Sequence, residues 1–140
     1  MLKNGPRFQS MKAILRENEI SYAIRKAIFT VYNTLGPGLL ESGYEAALCF
    51  ELRSAGLDVR SQADIPVVYK GEKLDVGFRL DLLVENLVIV ELKSIEDLSE
   101  AHHKIVLTYL KLANKKLALL VNFNTDDISK SIFRKVNGLE

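Results

Sequence analysis

The stretch RLDLLVENLVIVELKS, residues 79 to 94, decides the fold. Side chains alternate between the two faces of a strand, so residues i and i+2 share a face. In the second half Val88, Val90 and Leu92 fall on one face, and Ile89, Glu91 and Lys93 on the other. In the first half Leu80, Leu82 and Val84 form one apolar face, while Arg79, Asp81 and Leu83 point the other way. Two such runs around Glu85-Asn86 predict a β-hairpin. If both apolar faces enter one core, Val84 shares a face with Val88, which requires the three-residue connection Glu85-Asn86-Leu87. That register sets Asp81 opposite Glu91 and Arg79 opposite Lys93, with the two carboxylates about 5 Å apart at Cβ. A two-residue turn would separate the acids onto opposite faces unless a bulge restored the match. Burial of the aliphatic residues on one side favours the first arrangement.

Two facing carboxylates destabilise a sheet unless something compensates. A shared proton, the neighbouring Lys93 and Arg79, or a divalent cation would each do so. Oxygen ligands of this kind suit Mg²⁺ or Mn²⁺. A lysine two residues beyond the glutamate can orient a water and stabilise charge developing on a phosphate. The alternative is a salt-bridged polar face with no ligand at all.

Outward from the hairpin, the chain alternates between helical and strand patterns. Ile20, Ala23, Ile24, Ala27, Ile28, Val31, Tyr32 and Leu35 mark one face of a helix, which Gly36-Pro37-Gly38 breaks. A second helix is expected from Leu39 to Ala55, with Gly56 as its left-handed cap. Asp58 to Gln62 and Ile65 to Tyr69 read as two short strands before a turn at Lys70-Gly71-Glu72. The hairpin is expected to comprise Phe78 to Val84 and Leu87 to Leu92. Ser99 can cap a helix carrying Ile105, Val106, Tyr109, Leu110 and Leu112. Leu117 to Phe123 is apolar almost throughout, as in a strand covered on both faces, and the last ten or so residues read as an edge strand. The order α-α-β-β-β-β-α-β-β predicts an α/β fold, a mixed central β-sheet flanked by α-helices. Residues 1 to 18 are expected as a partly ordered N-terminal extension, and 19 to 140 as one domain.

Composition agrees with a single globular core: 140 residues, 48% hydrophobic and 26% charged. No apolar run approaches the roughly 20 residues that a bilayer requires, and the polar, basic start MLKNGPRFQSMK is not a secretion signal. The single cysteine, Cys49, reads as a small buried hydrophobe. One cysteine forms no internal disulfide, and a cytoplasmic setting is expected. Net charge is only +1, which argues against stable phosphate-driven binding of nucleic acid but leaves room for transient contact through a local basic groove. Lys70, Lys73, Arg79, Lys104, Lys111, Lys115 and Lys116 are candidates for such a groove.

The segment Gly38-Leu39-Leu40-Glu41-Ser42-Gly43-Tyr44 reads GxxExxY. With D-x9-E-x-K, from Asp81 to Lys93, and the later LALLVNFN, the chain resembles the GxxExxY family within the PD-(D/E)XK nuclease superfamily from about Ile20 to Leu139. The resemblance implies a restriction-endonuclease-like core in which Asp81 and Glu91 bind metal, with the backbone carbonyl of Leu92 as a further ligand and Lys93 as the catalytic lysine. Glu41 would be the helical acid that completes the site. Tyr44 could hydrogen-bond there or serve as a core aromatic. Related nucleases often carry a glutamine four residues before a tyrosine on the helix after the ExK strand. Here Tyr109 is present, Ile105 holds the glutamine's place, and His102 or His103 could supply a polar contact instead. Tyr44, His103 and Tyr109 are thus the candidate substrate-binding residues.

The resemblance implies a nuclease dependent on Mg²⁺ or Mn²⁺, with DNA ahead of RNA as substrate. The alternative is a nuclease-fold binding or regulatory module that acts as a homodimer or with a protein partner. A third reading is a structural oligomer in which Asp81 and Glu91 merely pair with Arg79 and Lys93.

Overall fold

The computed structural model describes residues 6–139, with side chains from Arg16 onward. Residues 1–5 of the expected N-terminal extension lie outside the described residues. The helix expected from Ile20 already runs from residue 6, as α1 (Pro6–Leu35). It is followed by α2 (Glu41–Ser54), β1 (Val59–Tyr69), β2 (Glu72–Val84), β3 (Val88–Lys93), α3 (Glu100–Ala113), β4 (Leu117–Asn122), a single 3-10 turn at Ile128–Lys130, and β5 (Ile132–Val136). The five strands form one sheet in chain order. All pairs are antiparallel except β3 and β4, which run parallel and are joined by α3. A parallel pair needs such a crossover because a hairpin cannot join strands of like direction.

Each face of the sheet has its own core. On one, Ile24, Ile28 and Val31 of α1 and Leu48 and Leu52 of α2 pack on Leu82, Val84, Val88, Val90, Leu92, Leu119 and Val121. On the other, Val106 and Leu110 of α3 pack on Leu83, Ile89, Ala118 and Leu120. Every residue of β4 is buried, as its continuous apolar run predicts. Cys49 is buried in the α2 core, and burial raises its thiol pKa, with Arg53 opposing.

The helix ends follow local rules. The hydroxyl of Ser99 caps α3, and α3 ends at Asn114 in the left-handed region with φ of 54°. At the end of α2, Gly56 has φ of +86° while Leu57 N–H donates back to Leu52 O at 3.1 Å.

The β2–β3 register is the expected one, Leu82 opposite Val90, Leu83 opposite Ile89 and Val84 opposite Val88. Its connection is Glu85-Asn86-Leu87, with Glu85 and Asn86 at φ of 53° and 55°. A glutamate in the left-handed region is uncommon, and here it is held from three sides. Its N–H donates to Asp58 O at 2.7 Å, its carboxylate accepts from Asp58 N–H at 2.7 Å, and Arg16 pairs with the same carboxylate.

Two expectations need correction. The short strands expected at 58–62 and 65–69 are one strand, β1, and β2 begins at Glu72 rather than Phe78. Leu74 and Val76 of the stretch EKLDVG alternate with Lys73 and Asp75 but stay exposed, and the stretch pairs with β1 across a Lys70-Gly71 turn whose residues have φ of 50° and 81°. Leu80 also does not share a face with Leu82 and Val84. It packs with Ala63 in the α3-side core, whereas Leu82 and Val84 enter the other. The reversal falls at Asp81 and at Gln62, its counterpart on β1, where φ is 52°. Both strands turn over together, so the pairing count is unchanged from Val59–Val84 to Pro66–Gly77. Arg79, between Phe78 and Leu80 of the α3-side core, therefore faces away from Lys93 and pairs with exposed Asp64 at 3.0 Å.

Candidate active site

Asp81 lies where β2 changes faces, and Glu91 lies where β3 nears its end. Above the Leu82–Val90 pair the ladder gives way to bonds made by the two acids. Asp81 N–H donates to Glu91 Oε1 at 3.1 Å, and Leu92 N–H donates to Asp81 Oδ2 at 2.9 Å. Each carboxylate thus accepts from the backbone of the opposite strand, and the acids occupy the opening between the strands. In an extended strand the N–H and C=O of one residue point to the same neighbour. The carbonyl of Leu92 is accordingly aimed at that same opening.

Glu91 is buried, at 7% exposure. Its pKa is pushed up to about 8, first by burial, then by the Asp81 charge, with Lys93 acting in the opposite direction. At neutral pH the pair therefore holds a proton between two acids, the ordinary outcome when like charges are confined together. The same charge excess suits a hard cation. Two carboxylates and the Leu92 carbonyl are oxygen donors of the type Mg²⁺ and Mn²⁺ prefer, and such ions commonly complete their shell with water and phosphate oxygens. The donors fit a divalent ion, though they supply only part of its coordination.

Glu91 and Lys93 extend from β3 toward α3. They line a cavity of about 90 Å³ with His102, Ile105, Val106, Tyr109 and Leu120. Tyr109 stacks on Phe78 at 4.7 Å between ring centroids. Burial raises the Tyr109 pKa, with the Glu91 and Asp81 charges adding to the effect, so its hydroxyl keeps its proton. Tyr109 is thereby brought to the acid pair.

The other candidates stand elsewhere. Glu41 is exposed at the start of α2. Among the described residues, no three His, Cys, Asp or Glu side chains are grouped to hold one metal ion, so Glu41 does not close on Asp81 and Glu91. Its loop is nevertheless anchored to the end of β3, where Ser94 Oγ donates to Leu39 O at 2.6 Å. Tyr44 takes the core position. It is fully buried, stacks on Phe123 at 4.3 Å, donates its hydroxyl to Gly36 O and accepts from Leu39 N–H at 3.2 Å. Its hydroxyl is thus committed to shaping the loop that carries Glu41. His103 meets Phe133 edge-on at 4.9 Å and lines a separate hollow with Glu96, Asn122 and Thr125. Burial, reinforced by the Lys135 charge, lowers the His103 pKa. Lys115 and Lys116 lie by the β2–β3 turn end of the sheet, away from the acids. Lys115 donates to Asn86 at 3.4 Å, and both charges act on Glu17.

Of the two histidines offered for a polar contact the structure brings one to the site, and it adds Asn122, which the sequence patterns did not single out. His102, rather than His103, lines the cavity beside Glu91 and Lys93. Asn122 is buried at the end of β4, where its amide accepts from Ile95 N–H at 3.2 Å and donates to Ile95 O at 2.9 Å. It fixes the chain just after Lys93. A lone polar residue closing the apolar run LALLVN was the available signal. A hollow of about 850 Å³ opens in the β1–β2 arm between Ile65, Pro66, Val76 and Phe78, away from the acid pair.

No helix among the described residues is long and apolar enough to cross a membrane. No curated protein and no solved structure matches the chain. A family model described as the PD-(D/E)XK nuclease superfamily matches residues 18–135. The match spans both acids, the lysine, the full five-stranded sheet except Val136, and the three helices apart from the start of α1. With its mixed sheet and paired acids at the splayed strand ends, this chain belongs to the PD-(D/E)XK nuclease superfamily.

Proposed function

We propose that the chain is a nuclease of the GxxExxY kind that hydrolyses phosphodiester bonds, in DNA ahead of RNA, with Mg²⁺ or Mn²⁺. The observation that carries this reading is the crossed bonding of Asp81 and Glu91, with Glu91 and Lys93 together lining one cavity. Asp81, Glu91 and the Leu92 carbonyl hold the ion. When bound, a divalent cation polarises the phosphoryl group and makes water a better nucleophile. Lys93 orients the attacking water and offsets negative charge on the phosphoryl oxygens. Tyr109 keeps its proton and can donate to the substrate at the cavity wall. Superfamily members generally use divalent metals, which agrees with the donor set.

A second reading, a binding module with little turnover, draws support from two placements. Glu41 stands off from the acid pair, and Ile105 presents an apolar side chain, 45% exposed, at the cavity. In that reading a second copy or a protein partner supplies the missing contacts.

Incubation of single- and double-stranded DNA and RNA with Mg²⁺ or Mn²⁺ separates the two. The nuclease reading expects metal-dependent cleavage that falls by about 100-fold or more in Lys93→Ala, the scale on which removal of a transition-state donor acts. Substrate binding without cleavage at any metal concentration would select the second reading.

A further inference from the structure

The cap of α3 holds one side of an imidazole that also lines the site. Ser99 N–H donates to His102 Nδ1 at 2.9 Å, and the Ser99 hydroxyl lies 3.0 Å from the same nitrogen. In return His102 N–H donates to Ser99 Oγ, completing a reciprocal capping box. A nitrogen that accepts from a backbone N–H carries no proton of its own. The neutral ring must then carry it on Nε2. His102 also lines the cavity that contains Glu91 and Lys93. Glu or Gln is the usual third-position partner in such a cap. An imidazole supplies the same acceptor and adds a donor on the far side of the ring, which a cap by itself does not need.

We infer that His102, held as the Nε2–H tautomer by Ser99, donates a hydrogen bond to a non-bridging phosphodiester oxygen bound against Glu91 and Lys93. The inference rests on the nuclease reading and deepens it. The cavity of about 90 Å³ has room for a phosphoryl group or a few waters. Around it stand an ammonium from Lys93, a phenol from Tyr109 and this N–H, three donors of different reach and the type expected around a phosphate. The contact needs no charge on the ring. It occupies the part of α3 where Ile105 offers nothing polar, one turn before that residue.

Nitrogen-15 NMR of the histidine rings, with Ca²⁺ and an oligothymidylate added, tests the inference together with cleavage kinetics of His102→Gln. Glutamine restores an acceptor for the cap but not the distant ring nitrogen. The expected result is an Nε2–H tautomer at His102 whose resonance shifts on adding the oligonucleotide. His102→Gln should melt within a few degrees of wild type and lose about 10- to 100-fold in kcat/KM. An Nδ1–H tautomer, an unmoved resonance, or full activity in His102→Gln while the wild type cleaves would overturn the inference alone. A wild type that neither binds nor cleaves nucleic acid with metal would overturn the nuclease reading and this inference together.

Discussion

Asp81 and Glu91 face each other across two strands, and each accepts a hydrogen bond from the other strand's backbone, at 3.1 and 2.9 Å. The acids therefore do two things at once. They replace ladder bonds that the parting strands can no longer make, and they confine two carboxyl groups in a space that favours only one negative charge. A proton or a cation relieves the second condition, and the choice between them sets how the protein responds to pH.

Without metal, stability should fall as pH rises. Glu91 titrates near 4.5 when unfolded and near 8 when folded. Below the lower value both states hold the proton and the stabilisation is fully present. Between the two values the unfolded chain has released a proton that the folded one keeps, so unfolding becomes easier up to about pH 8. The loss should be on the order of a few kcal/mol. Thermal melts in chelator from pH 5.5 to 8.5 would show it, and Glu91→Gln should flatten the profile and melt above wild type at the alkaline end. A wild-type profile that rises across this window would contradict the raised pKa.

Metal should act in the opposite sense. Because the ion competes with the proton held by the acid pair, Mn²⁺ should raise the melting temperature more at pH 8 than at pH 6. Equal shifts at both pH values would mean that the ion does not displace that proton.

Tyr44→Phe should destabilise by about 1–3 kcal/mol, because the Gly36 carbonyl and Leu39 N–H lose their shared, part-buried partner while the aromatic stack with Phe123 remains. Urea unfolding would measure this. Metal affinity should change little, since the hydroxyl faces the loop and not the acids. A large loss of metal binding with unchanged stability would place Tyr44 in the site.

Gly77→Ala tests the packing of the β1–β2 arm. A Cβ at Gly77 would stand 2.9 Å from the carbonyl oxygen of Ile65, a backbone atom that cannot swing aside. The variant should lose about 1–3 kcal/mol and keep Mn²⁺ affinity within about threefold, because Gly77 lies in the arm beyond the strand reversal that carries Asp81. Unchanged stability would show that the arm relaxes freely.

How far the fold is legible in the sequence follows from where burial is one-sided. The β2–β3 register can be read because a one-residue slip would move Val84, Val88 and Val90 out of their core. The reversal at Gln62 and Asp81 cannot. Both faces of the sheet are covered, so Leu80 is apolar whichever way it points, and nothing about a glutamine announces a positive φ. The same ambiguity misplaced Arg79 beside Lys93. At the site, D-x9-E-x-K was readable because two acids interrupt apolar strands. His102 was harder to separate from His103, since adjacent residues on a helix differ by about 100° in direction and only the packed sheet shows which one enters the cavity.

Calorimetric titration of Mn²⁺ into the wild type, Asp81→Asn and Glu91→Gln at pH 8 decides whether the acid pair holds a divalent ion. The substituted side chains preserve the acceptors for the Leu92 and Asp81 N–H groups, so folding is retained while the charge for a cation is removed. Saturable binding is expected in the wild type, with a loss of about tenfold or more in each variant. Undiminished binding in both variants, or no saturable binding in the wild type, would contradict a divalent-ion site at the acid pair.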